Sequence, residues 1–112
     1  MKYALVALIA GLSALPLAAR AEGAFISGSQ ILRVCSSQKE DPACTGFIGG
    51  ALDEVTANAA LRSEICVPSG TTLKALRTAL VKFGREHSDQ VKGSGVGLLN
   101  AMIKANYPCA GK

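Results

Sequence analysis

Four cysteines punctuate this chain of 112 residues: Cys35, Cys44, Cys66 and Cys109. An even count in a short exported chain reads as two disulfides, which compensate for a core too small to be firmly stable by itself. No Cys-x-x-Cys spacing occurs, and the single histidine, His87, stands at no ligand spacing from any cysteine. Neither a metal site nor a cofactor is expected.

The residues before the cysteines read as targeting sequence. Met1-Lys2 is a short positive start, residues 3–17 are apolar and uncharged, and Ala19-Arg20-Ala21 is a small-x-small end. That is the layout of a signal peptide cleaved after Ala21. The apolar run is shorter than the roughly 20 residues a membrane-spanning helix needs. Pro16 near its end favours cleavage, and no cysteine follows for a lipid anchor. The expectation is a signal peptide over 1–21, then a single helical domain over 22–112, periplasmic and without a stable membrane anchor. Cleavage removes Lys2 and Arg20, lowering the formal net charge from +4 to +2. That charge is ordinary for a small domain and is no footprint for nucleic acid. The absence of tryptophan also counts against a base-stacking platform.

Four helices are expected after the leader. Ser27-Gly28-Ser29 caps the first, which begins near Gln30 and carries Ile31, Leu32, Val34 and Cys35. The polar stretch 36–42 is a loop, and Asp41-Pro42 is a cap followed by proline at the first helical position. The second helix runs from Pro42 to about Asn58, or on to Leu61. Its apolar residues Phe47, Ile48, Ala51, Leu52 and Val55 form one stripe. Gly46, Gly49 and Gly50 interrupt the same run. Each costs about 0.5–1 kcal/mol against alanine in a helix, so they suggest close approach by another backbone. Thr71 or Thr72 caps the third helix, with Leu73, Leu76, Leu80 and Phe83 on one face. Lys74, Arg77, Lys82 and Arg85 lie on others. His87-Ser88-Asp89 ends that helix and starts the fourth, which carries Val91, Val96, Leu98, Leu99, Met102, Ile103 and Tyr107. Gly93, Gly95 and Gly97 weaken its first half, as a flexible start or a close-packing face, and Tyr107-Pro108-Cys109 stops it. No run alternates with period two, so no strand is expected. The fold class is all-α, a small disulfide-bonded four-helix bundle with short loops and up-down-up-down topology.

This arrangement selects one disulfide pairing among three. Cys35 ends the first helix and Cys44 starts the second, at one end of the bundle. Cys66 precedes the third and Cys109 follows the fourth, at the other end. The expected pairs are Cys35–Cys44 and Cys66–Cys109. Loop entropy assigns about 2.5–3 kcal/mol to the first and about 4 kcal/mol to the second. On that account alone, serine at Cys109 costs more stability than serine at Cys44.

No catalytic constellation assembles. His87 lacks an acid or nucleophile partner, and a histidine at a helix C-terminus is favoured by the dipole. Asp53 and Glu54 are adjacent and face different directions on a helix. Gly93-Ser94-Gly95-Val96-Gly97 lacks the preceding strand and the spacing of a phosphate loop. The chain is not expected to be an enzyme.

Four ordered elements resemble the Rap/Tai immunity proteins of bacterial type VI secretion systems. They are Gly28-Ser29-Gln30-Ile31-Leu32-Arg33-Val34-Cys35, then Cys44-Thr45-Gly46-Phe47-Ile48-Gly49-Gly50-Ala51-Leu52-Asp53, then Cys66-Val67-Pro68-Ser69-Gly70-Thr71, then Tyr107-Pro108-Cys109. The second is similar to the family's Cys-x-Gly-Tyr/Phe-Ile-x-Gly-x-x-Asp. Ser88 stands after His87 where the family tends to have proline. The resemblance implies a periplasmic, helical, disulfide-bonded inhibitor, often a homodimer. Its partner would be a protein toxin, an amidase-like effector that degrades peptidoglycan, blocked at its active-site cleft. The alternative is a small periplasmic stress chaperone of the acid-activated HdeA type. That class uses many titrating carboxylates and one disulfide, against eight acidic residues and four cysteines here. For a plug, the loop 36–41 is the expected contact, with Ser37, Gln38, Lys39 and Glu40. The basic face at Lys74, Arg77 and Lys82 is the second choice.

Overall fold

The computed structural model describes residues 25–37 and 39–109. The expected signal peptide, Gln38 of the loop and the last three residues lie outside the described residues. Six helices follow in order: α1 (Gly28–Cys35), α2 (Pro42–Ala57), α3 (Ala59–Arg62), α4 (Leu73–Glu86), α5 (Ser88–Val91) and α6 (Gly95–Asn106). Among the described residues there is no strand, only isolated bridges between Ser27 and Ser94 and between Ile65 and Pro108. The all-α class holds, with four longer helices and two single turns.

Each longer helix begins where a side-chain oxygen meets an amide that the helix leaves unbonded. The Ser27 hydroxyl accepts from the Gln30 amide at 3.1 Å, and Gln30 Oε1 accepts from the Ser27 amide at 2.8 Å, a reciprocal capping box. This pair starts α1 at Gly28, earlier than Gln30. Asp41 caps α2 through the Ala43 amide at 2.8 Å, with Pro42 in the first turn. Thr72, rather than Thr71, caps α4 through the Ala75 amide at 3.1 Å. Such caps contribute about 1 kcal/mol each. Asn58 ends α2 and caps α3 through the Ala60 amide at 3.1 Å, so the second helix breaks there instead of reaching Leu61.

The expected fourth helix is two helices. Ser94 captures the Gly97 amide at 3.0 Å and starts α6 afresh, leaving α5 as one turn. The glycine-rich stretch is the seam. The Gly28 amide donates to the Gly93 carbonyl at 2.8 Å, and the Gly95 amide to the Ile26 carbonyl at 2.8 Å. A β-carbon at Gly28 would stand 2.5 Å from the Val91 carbonyl oxygen, and one at Gly95 would stand 3.1 Å from Phe47 Cζ. Of the two sequence readings of this stretch, close packing is the one realised at Gly95.

The core draws on all four longer helices: Ile31, Ile48, Leu76, Leu80, Leu98, Leu99, Met102 and Ile103 are almost fully buried. Helix α4 packs against α1, α2 and α6. The α2 stripe turns inward as its spacing predicts, with Ile48 and Val55 buried and Phe47, Ala51 and Leu52 packed on the core. Two residues of the apolar sets on these helices are exposed, Leu73 at 41% and Val96 at 47%. Both lie at the first turn of a helix.

The glycines of α2 correct the sequence reading. Nothing lies within 4 Å of a β-carbon built at Gly46, Gly49 or Gly50. No backbone among the described residues approaches them. The close-packed glycines are Gly28, Gly84 and Gly95.

The structure joins Cys35 to Cys44, with Cα atoms 5.1 Å apart, and Cys66 to Cys109, 4.9 Å apart. This is the pairing that the helix ends require. The two clips differ in surroundings. Cys35 and Cys44 are 1% and 0% exposed, whereas Cys66 is exposed. Serine at Cys44 would therefore also place a hydroxyl in the core. A buried unsatisfied hydroxyl costs about 1–3 kcal/mol, enough to offset the roughly 1.3 kcal/mol loop-entropy advantage of the longer clip.

Candidate partner-binding surface

The two contact regions expected from the sequence meet in one place. Ser37, Glu40, Lys74, Arg77, Lys82 and Arg85 line a single open groove of about 670 Å³ between the 36–41 loop and α4. The loop is held at its base by the Cys35–Cys44 disulfide and at its end by the Asp41 cap. At its start, the Ser36 hydroxyl donates to the Leu32 carbonyl at 2.6 Å, closing the last turn of α1.

The expected contact residues take different roles. Ser37, Lys39, Glu40 and Lys74 are exposed. Gln38 lies outside the described residues. Arg77 is half-buried and engaged: its Nε donates to the Cys35 carbonyl at 2.9 Å, and its Nη2 donates to the Ser37 carbonyl. The basic face of α4 therefore has two parts. Arg77 is turned into the fold, while Lys74, Lys82 and Arg85 are exposed and, among the described residues, form no ion pair. Sequence reasoning left Arg85 out of the contact set, although it lines the same groove. Its spacing of eight from Arg77 was the available signal, since both then lie within one stripe of a helix.

On the other side of α4 a second groove, of about 790 Å³, is lined by Phe83, His87 and Tyr107, with Lys74 and Lys82 on its α4 edge. The imidazole of His87 stacks on the Phe83 ring with centroids 4.0 Å apart. Its Nδ1 lies 3.0 Å from the Phe83 carbonyl oxygen. A carbonyl only accepts, so Nδ1 carries the proton in this bond. His87 thus closes the C-terminus of α4. Ser94, which a phosphate loop would aim at a ligand, spends its hydroxyl on the α6 cap. No group of three or more His, Cys, Asp or Glu among the described residues is placed to hold a metal ion. No helix among them is long and apolar enough to cross a membrane.

A third surface is apolar. Phe25 and Ile26 are 96% and 40% exposed, and Ile26 and Phe47 both reach Gly95, next to the exposed Val96. The open glycines Gly46 and Gly50 adjoin Phe47 on α2 at one- and three-residue steps.

The arrangement offers surfaces for contact, with polar and cationic side chains on a disulfide-held scaffold. No curated protein and no solved structure matches the chain significantly. The family model of the Rap1a immunity proteins matches residues 27–109, from the cap of α1 to the last cysteine. That match spans every helix among the described residues and both disulfides, and the chain belongs to the Rap1a immunity protein family.

Proposed function

We propose that this chain is a periplasmic immunity protein that binds and neutralises a peptidoglycan-degrading amidase toxin delivered by type VI secretion. Membership of the family supports a protein toxin as partner. Two disulfides are consistent with an oxidising compartment, which residues 1–21 would reach as a cleaved signal peptide. Inhibition works by occlusion, with no turnover by the chain itself.

The observation that carries the reading is the 36–41 loop. It leaves the domain between two joined cysteines and borders a groove with exposed cations. A segment held before binding loses little conformational freedom on docking, which favours affinity. Ser37, Gln38, Lys39 and Glu40 are the contacts on the loop. Lys74, with Lys82 and Arg85, supplies the cationic wall for an acidic rim on the toxin. The exposed Ile26 and Val96 beside Phe47 are the surface on which a second copy would pair.

The test is protection. An amidase-like toxin directed to the periplasm lyses cells, and co-expression of the wild-type chain should prevent lysis. Alanine at Gln38, Lys39 and Glu40 together should abolish protection while leaving the disulfide and the helical content intact. Full protection by that triple variant would remove the loop from the interface.

A further inference from the structure

We propose that Arg77 is a positioning residue rather than a contact residue: by bridging the carbonyls of Cys35 and Ser37 it sets the direction in which the toxin-facing loop leaves α1. The proposal rests on the reading of the 36–41 loop as the segment that meets the toxin.

The need for such a group starts with the helix. The last carbonyls of a helix have no partner within it. At the end of α1 the Leu32 carbonyl is served locally, by the Ser36 amide at 2.9 Å and the Ser36 hydroxyl at 2.6 Å. The carbonyls of Cys35 and Ser37 are served from 42 and 40 residues away, by the two arms of one guanidinium. A cation at this end also complements the helix dipole.

The chemistry suits arginine alone. A guanidinium is planar and presents donors in a rigid fork, so fixing it fixes both acceptors relative to α4. An ammonium on a flexible stem carries the same charge without that geometry. The disulfide clamps Cys35 to Cys44 but leaves the backbone between them free to rotate. Arg77 adds an anchor two residues into the loop, tied to the helix that carries Lys74 and Lys82. Loop and cationic wall are thereby held as one unit.

This separates the cations of α4 into two kinds. Lys74, Lys82 and Arg85 are exposed and act on an approaching charged surface at a distance. Arg77 acts on the loop. The comparison is between Arg77→Lys, Arg77→Ala and Lys74→Ala in the disulfide-bonded mature chain. Amide hydrogen exchange of the described loop residues is measured on the free protein. Association and dissociation rates are measured at low and high salt with a purified amidase-like toxin from which the wild-type chain protects cells. Both Arg77 variants should speed exchange at the Ser36 amide, which donates to the Leu32 carbonyl at 2.9 Å where the loop leaves α1, by roughly tenfold or more. They should raise the dissociation rate by about tenfold or more while leaving association within a few-fold. Lys74→Ala should do the reverse, slowing association at low salt without changing loop exchange.

Wild-type exchange and wild-type rates in Arg77→Lys would overturn the proposal, because charge alone would then suffice. Unchanged loop exchange in Arg77→Ala would overturn it with no toxin involved. Should Arg77→Ala fail to fold, Arg77→Lys decides by the same two readouts. Faster exchange with an unchanged dissociation rate would instead overturn the reading of the loop as the toxin contact, while supporting Arg77 as the group that positions it.

Discussion

Two sets of glycines in this molecule look alike in sequence and differ entirely in surroundings. Gly46, Gly49 and Gly50 lie inside α2, where glycine weakens the helix, and nothing lies within 4 Å of where their β-carbons would be. Gly28 and Gly95 open α1 and α6, Gly28 against backbone alone and Gly95 against the Phe47 ring and both the side chain and the carbonyl of Ile26. Gly28 meets the Val91 carbonyl at 2.5 Å and Gly95 the Ile26 carbonyl at 3.3 Å. The close approach that the α2 glycines suggested occurs where residues 26–28 cross residues 93–95. A small residue inside a helix reports that something is tolerated or required there. It does not say whether this chain or another molecule supplies the neighbour.

The largest effect should come from Gly28→Ala. Its β-carbon would collide with a backbone oxygen, which cannot rotate away as a side chain can. The two hydrogen bonds linking 26–28 to 93–95 would have to lengthen. Overpacking of this kind costs about 2–3 kcal/mol, to be read as a lower denaturation midpoint at unchanged slope. A loss below about 0.5 kcal/mol would mean the junction gives way easily.

A smaller loss, about 1 kcal/mol, is expected for Gly95→Ala. There the nearest atoms belong to the Phe47 ring, at 3.1 Å, and the Ile26 side chain, at 3.3 Å. Both can shift, and Ile26 is already 40% exposed. Equal losses at Gly28 and Gly95 would erase the distinction between backbone and side-chain neighbours.

The sign should reverse in α2. Gly46→Ala and Gly50→Ala add a methyl to open space in a helix, so each should stabilise the chain by about 0.5–1 kcal/mol. The same variants sharpen the comparison through function. If they raise thermal stability yet weaken self-association or protection from the toxin, the glycine face is kept bare for a second molecule. Higher stability with unchanged association and protection would assign those glycines no contact role.

The same contrast between local and remote neighbours governs what was legible. The caps at Asp41 and Thr72, the α2 stripe around Ile48 and the α4 residues Leu76, Leu80 and Phe83 are patterns within one or two turns. They read correctly because cap and periodicity act over three or four residues. The disulfide pairs were also legible, since once the helices are placed only one pairing joins cysteines at the same end. The exposure of Leu73 and Val96 was not legible, because periodicity says which way a residue faces, and not whether a neighbour stands there. Of the candidate surface, the loop and the basic helix were visible as separate stretches, and their shared groove was not.

The sequence by itself determined that the chain is helical, where the first three of its longer helices start to within a residue or two, and which cysteines pair; the restart of the last helix at Gly95 was not read from it. Caps, proline and apolar spacing are local causes, and short loops leave helices few ways to pack. Only the tertiary structure decided that Gly28 and Gly95 carry the close crossing, and that Arg77 is turned inward to the α1 carbonyls while Lys74 stays exposed. Each of these depends on groups about 40 residues or more apart in the chain. Such contacts are settled by which surfaces meet on folding, and no spacing within a single helix encodes that meeting.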